Sequence, residues 1–153
     1  MDYDLQKETR VWDRIRGAQD TECGELQAEE IKKRICDELA DARAYRTLAA
    51  CLPQKERRCL LAISQDESRH AKTLSAIFFL LQGQRFCPER PPQLCVTCLN
   101  EELRKRYREE ISGAEKYDAL SSRAGDFAPQ LACIAEDERR HARTILGLLQ
   151  RLL

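Results

Sequence analysis

The chain has only two histidines, and each stands three residues after a glutamate: Glu67 before His70, and Glu138 before His141. Residues i and i+3 are neighbours on one face of an α-helix, so each pair offers a carboxylate oxygen and an imidazole nitrogen to one point. The surroundings are near copies. Asp66-Glu67-Ser68-Arg69-His70 returns as Asp137-Glu138-Arg139-Arg140-His141, and the identity continues at Ile63 and Ile134, Ala71 and Ala142, Thr73 and Thr144. A single Glu-x-x-His on a charged helix carries little information. Two in matching context, using every histidine, point to a site for two metal ions held between facing helices.

The elements that must position these residues are helical. No stretch alternates apolar and polar residues as a half-buried strand does, so the fold class is all-α. Residues 4–16 read as a short helix with Leu5, Trp12 and Ile15 near one face, ended by Gly17. A long helix runs from about Gly24 to Leu52 on a stripe of Leu26, Ile31, Ile35, Leu39, Ala42 and Leu48. Pro53 suits the first turn of the next helix, which carries Leu60, Ile63, Leu74, Ile77 and Leu81 and stops near Gly83. Residues 84–98 are rich in Pro and Cys and read as an extended connection. A third long helix follows over about 99–123, with Leu103, Tyr107, Ile111, Ala114 and Tyr117, and a fourth runs from about Ala128 after a turn at Gly125-Asp126.

The long helices also repeat. Glu38, Tyr45 and Leu48 in the first match Glu110, Tyr117 and Leu120 in the third, at the same internal spacing. With the repeated Asp-Glu-x-Arg-His, this makes two copies of one helical hairpin, 24–83 and 99–153, within one domain spanning 1–153. Glu38 lies 14 residues before the turn at Leu52 and Glu67 lies 14 after Pro53; Glu110 lies 14 before Ala124 and Glu138 14 after it. At ~1.5 Å per residue, all four glutamates stand ~20 Å from their turns, so they meet at one level of a bundle with both histidines. Four buried carboxylates need neutralising cations, and mixed oxygen and imidazole donors suit iron or manganese. The 16 steps from Gly83 to Leu99 span ~50 Å as a proline-rich extended chain. That is enough to return along ~40 Å of helix, so the second and third helices are expected to run parallel; a simple up-down-up-down bundle, the alternative, would need less chain.

Composition narrows the function. Net charge is zero, with 34% charged residues of both signs, which leaves no basic stripe for nucleic acid. No apolar run nears the ~20 residues of a membrane span. The acidic start Met1-Asp2-Tyr3-Asp4 does not read as a signal peptide, and a cytoplasmic location with reduced thiols is expected. Of the eight cysteines, Cys36, Cys51, Cys59 and Cys133 fall in helical segments and are expected to pack as small buried hydrophobes. Cys87, Cys95 and Cys98 stand in the connection, where a zinc site or a redox dithiol are alternatives to incidental loop residues.

On these residues the sequence resembles the ferritin-like di-iron carboxylate superfamily, and most of all its rubrerythrin-type members. The resemblance covers nearly all of the chain after the first short helix. It implies that Glu67 and Glu138 bridge two metal ions, with Glu38 and His70, and Glu110 and His141, as terminal ligands. It implies that Tyr45 and Tyr117 hydrogen-bond a ligand glutamate, that Asp66 and Asp137 orient a ligand histidine through its second ring nitrogen, and that Arg69 and Arg140 pair with those aspartates. The implied function is an oxidoreductase acting on hydrogen peroxide or dioxygen, with two iron ions (manganese being the alternative), a small-molecule oxidant and an external electron donor. A homodimer is compatible with the sequence. Iron oxidation and storage in a cage, a metal-stabilised binding module, and hydroxylation of a small organic substrate are the alternatives.

Two features depart from the family. Rubrerythrins carry a further glutamate three residues after the third-helix ligand, where this chain has Gly113. A glutamate placed there is expected to face the bundle interior, as Glu110 does. Rubrerythrins also often carry a rubredoxin domain with two Cys-x-x-Cys pairs, whereas this sequence has one, Cys95-Val96-Thr97-Cys98.

Overall fold

A computed structural model describes residues 26–153, so the short helix expected over 4–16 lies outside the described residues. Four long helices make up the rest: α1 (Ala28–Ala50), α2 (Gln54–Gln82), α3 (Leu99–Ser121) and α4 (Ala128–Leu152), with a 3₁₀ turn at Gly125–Phe127 before α4. No strand occurs among the described residues. The sequence boundaries agree to within a few residues, because the breakers act where expected. Pro53 stands immediately before α2, where its fixed φ and missing N–H cost nothing. Gly83 ends α2 in the left-handed region at φ 68° and donates its N–H to the Phe79 carbonyl, a conformation in which a side chain would be strained.

The core lies in two clusters, one toward each end. Ile31 and Ile35 of α1 meet Leu74, Ile77 and Phe78 of α2, Tyr117 and Leu120 of α3, and Leu131 and Ile134 of α4. Tyr45, Leu48 and Ala49 meet Leu60, Ile63, Leu103, Ile145 and Leu148 in the other. α1 and α4 therefore run from the first cluster to the second, and α2 and α3 both run back. The connection over 83–98 covers the length between them. Phe86 packs on the first cluster, with its ring 5.9 Å from that of Phe78. Leu94 and Val96 pack on the second. Between them Arg43 Nη1 donates to the Pro91 carbonyl at 2.6 Å, tying the connection to α1.

Two expectations about burial need correction. Cys36, Cys51 and Cys133 are exposed and Cys59 is half-buried, because Cys36 and Cys133 each sit one residue off a stripe, beside Ile35 and Ile134, and Cys51 caps α1. Leu81 and Ile111 are exposed at 40% each; Leu81 belongs to the last turn of α2, and Ile111 follows Glu110 on the outer side of α3. Cys87, Cys95 and Cys98 are exposed and unpaired in the connection. No described helix is long and apolar enough to cross a membrane.

The geometry at Gly83 gives a test separate from any metal chemistry. No atom lies within 4 Å of where a Cβ would stand, so Gly83→Ala meets only backbone strain. It should lower stability by about 1 kcal/mol in chemical denaturation and leave the chemistry at the bundle centre unchanged.

Candidate metal centre

Between the two apolar clusters the bundle turns polar. Glu38, Glu67, His70, Glu110, Glu138 and His141 are all buried, none more than 6% exposed. Apolar residues pack above and below them, so these ionisable groups lie close to one another. Four helices deliver them: Glu38 from α1, Glu67 and His70 from α2, Glu110 from α3, Glu138 and His141 from α4.

The six form two overlapping groups. Ligand-type atoms of Glu38, Glu67, His70 and Glu138 all lie within 4.8 Å of one another, and so do those of Glu67, Glu110, Glu138 and His141. Glu67 and Glu138 belong to both. Glu67 spreads its two oxygens: Oε2 lies 3.3 Å from His70 Nδ1 and Oε1 lies 2.9 Å from His141 Nδ1. Glu138 instead turns a single oxygen toward both rings, with Oε1 3.4 Å from His70 Nδ1 and 4.0 Å from His141 Nδ1. The outer glutamates complete the groups, Glu38 at 3.2 Å from His70 Nδ1 and Glu110 at 3.3 Å from His141 Nδ1. The two rings are stacked with centroids 5.8 Å apart.

Each histidine is aimed from behind by the opposite hairpin. His70 Nε2 lies 3.1 Å from Asp137 and His141 Nε2 lies 3.2 Å from Asp66. With Nε2–H donated to a carboxylate, Nδ1 is the nitrogen left to face the centre. Arg69 bridges Asp66 at 2.7 Å and Asp137 at 2.8 Å, and Arg140 bridges Asp137 at 2.5 Å and Asp66 at 2.8 Å. This ring of ion pairs covers the α2–α4 side of the site. The tyrosines cross between hairpins as well. Tyr45 donates its hydroxyl to Glu110 and Tyr117 donates to Glu38, so each serves the glutamate of the other hairpin rather than the one two turns before it.

The electrostatics are those of a crowded acidic core in which burial and like charge favour protonation. Burial, followed by the nearby Glu38 and Glu138, raises the Glu67 carboxyl well above its ordinary value against the pull of both histidines. Burial together with Glu110 and Glu38 pushes Glu138 up to about 8. Glu38 is held low, because hydrogen bonds from His70 and Tyr117 outweigh its burial. Burial opposes charge on the imidazoles, but the glutamates around them win: His70 is raised, and His141 is pushed up to about 10. Asp66 and Asp137 are partly buried, yet stay low through their histidine and arginine partners.

The donor set fits a pair of divalent ions. Four buried atoms among the described residues lack any hydrogen-bond partner, and all belong to it: Glu67 Oε1, Glu110 Oε2, Glu138 Oε1 and His141 Nδ1. Orphaned buried polar atoms are rare and costly, and here all four belong to residues of the Glu67–Glu110–Glu138–His141 group. Two divalent cations also balance four carboxylates. No protein-family model, curated protein or solved structure matches the chain. The geometry of these residues is therefore what the reading of the site rests on.

The α1–α3 side is open. A cleft of about 550 Å³ reaches inward to Glu38, Glu110, Glu138 and both tyrosines. Beside it the ion pair of Arg106 and Asp41 crosses from α3 to α1, with Arg106 also 3.1 Å from Glu102 and from Glu109. Burial, outweighing Arg106, raises the Asp41 carboxyl to about 7. This pair is not evident from helix periodicity or from the Glu-x-x-His repeats. The internal repeat carried a signal for the arginine, since Arg34 and Arg106 each stand four residues before a candidate ligand, Glu38 and Glu110.

Gly113 also needs a corrected reading. It faces inward as expected, but the space over it is taken: a Cβ there would lie 2.5 Å from Glu138 Oε2. A glutamate at 113 would displace Glu138 rather than simply add a carboxylate.

Two outcomes follow. For the metal-free protein, Glu138 (ordinarily near 4.5, here about 8) and His141 (ordinarily near 6.5, here about 10) both favour the folded state when protonated. Their contributions are complete below the ordinary values and are lost as pH rises through 8 and 10. Thermal midpoints of metal-free protein should fall from pH 5 to pH 10, and saturating Mn(II) should remove much of that fall because binding expels the same protons. In addition, Asp66→Asn and Asp137→Asn should each weaken metal binding about 10- to 100-fold, measured by calorimetric titration at fixed pH.

Proposed function

We propose that this chain is a ferritin-like, rubrerythrin-type di-metal carboxylate protein that binds two iron ions, with manganese as the alternative pair. We propose further that it is an oxidoreductase acting on hydrogen peroxide or dioxygen with electrons from an external donor. The observation that carries the reading is the sharing of Glu67 and Glu138 between two donor groups, each completed by its own glutamate and histidine. The parallel course of α2 and α3 and the connection along the bundle support the ferritin-like arrangement. When bound, two ferrous ions at one site would supply two electrons to an oxidant together.

The chain's own residues do the rest. Glu67, with one oxygen toward each histidine, spaces the two halves of the site. Asp66 and Asp137 hold the imidazoles with Nδ1 inward. Tyr45 and Tyr117 fix the outer glutamates from the opposite hairpin, so each terminal carboxylate keeps one oxygen for its tyrosine. The Asp66–Arg69–Asp137–Arg140 ring covers one side, and the cleft between α1 and α3 provides the approach for a small oxidant. Glu138 and the imidazoles give up protons when cations arrive.

Anaerobic loading with ferrous iron should give about two ions per chain. His70→Ala and His141→Ala should each weaken one of the two sites, as counted by metal analysis after gel filtration. The loaded protein should be oxidised by hydrogen peroxide, and more slowly by dioxygen, followed by visible absorbance. A content near zero after loading overturns the metal reading. Two bound irons inert to both oxidants would leave a metal-stabilised module as the better description.

A further inference from the structure

The two candidate bridging glutamates are not equivalent. Glu67 directs one oxygen to each imidazole. Glu138 brings Oε1 to both and sends Oε2 the other way, into the hollow over Gly113. The internal repeat shows what allows this. Gly113 follows Glu110 by three residues, and the equivalent residue after Glu38 is Asp41, so only α3 lacks a side chain at this level. The hollow is part of the wall of the α1–α3 cleft, together with Glu138 itself.

On the reading that the six residues hold two metal ions, we propose that Gly113 is a positioning residue that gives Glu138 a second resting place. Glu67 is then the fixed bridge and Glu138 the yielding one. With an oxygen in the hollow, Glu138 leaves a coordination position open toward the cleft, and an incoming small molecule takes that position without any helix having to move. The cleft favours an anion for this role. Once cations neutralise Glu38, Glu110 and Glu138, the lining keeps Lys33, Arg34, Lys105, Arg106, Arg108 and Lys116 against only Asp37, Asp41 and Glu109.

Co(II) and azide test the proposal, with Gly147→Ala as control. Gly147 is a second helix-interior glycine, and a Cβ there meets only Arg151, at an ordinary 3.6 Å. Wild type and Gly147→Ala should bind two Co(II) and then azide, read from the cobalt visible spectrum. Gly113→Ala should still bind two Co(II), but with azide affinity at least 10-fold weaker, because the Cβ keeps both oxygens of Glu138 at the metals. Azide binding within twofold of wild type overturns the proposal, and so does the loss of a Co(II) from Gly113→Ala. Failure of wild type itself to bind Co(II) overturns the metal-site reading and this inference with it. A second measurement needs no metal. In metal-free protein, Gly113→Ala should raise the thermal midpoint in a Glu138→Ala background, as Gly147→Ala does, and should raise it less or lower it when Glu138 is present. An equal gain in both backgrounds would mean that Glu138 does not use the hollow.

Discussion

Everything in this fold answers to the cost of placing four carboxylates and two imidazoles at one buried level. Like charges in a poorly screened interior repel strongly and lose their hydration. The chain meets that cost by raising the proton affinity of Glu67, Glu138 and the histidines, with tyrosine hydroxyls on Glu38 and Glu110, and with aspartates behind the rings. The apolar clusters on either side supply the stability that lets such a layer persist. A core built only for stability would carry leucine at these positions. Retaining six ionisable groups, four of whose atoms have no hydrogen-bond partner, makes sense when cations complete the arrangement.

The two sides of the site have different characters. On the α2–α4 side, two aspartates and two arginines lock together over the histidines. On the α1–α3 side, the tyrosine–glutamate crossings and the Arg106–Asp41 pair leave a cleft between them.

Much of this was legible in the sequence, for a specific reason. Helix periodicity and breakers are local, so α1 to α4 could be read from Pro53, Gly83 and the apolar stripes. That these glutamates and histidines come together could be read because the chain repeats: equal spacings from Glu38 and Glu67 to one turn, and from Glu110 and Glu138 to the other, fix a common level without knowledge of packing. What was missed depends on packing. The Arg106–Asp41 pair forms between helices far apart in sequence. Cys36 and Cys133 miss burial by a single residue's rotation about their helices. The occupant of the space over Gly113 depends on which way Glu138 turns, and no spacing rule specifies that.

The crossings between hairpins bear on how such a chain could arise. Tyr45 serves Glu110 and Tyr117 serves Glu38; Asp66 serves His141 and Asp137 serves His70. Each hairpin's tyrosine and aspartate reach the candidate ligands of the other, while each aspartate also pairs with the arginine of its own hairpin. A half-length ancestor pairing with an identical copy would satisfy every one of these contacts by symmetry. Joining two such copies end to end needs only a linker long enough to span the bundle, and once they are joined the halves are free to diverge. Gly113, where the first half has Asp41, is one position at which the two halves differ.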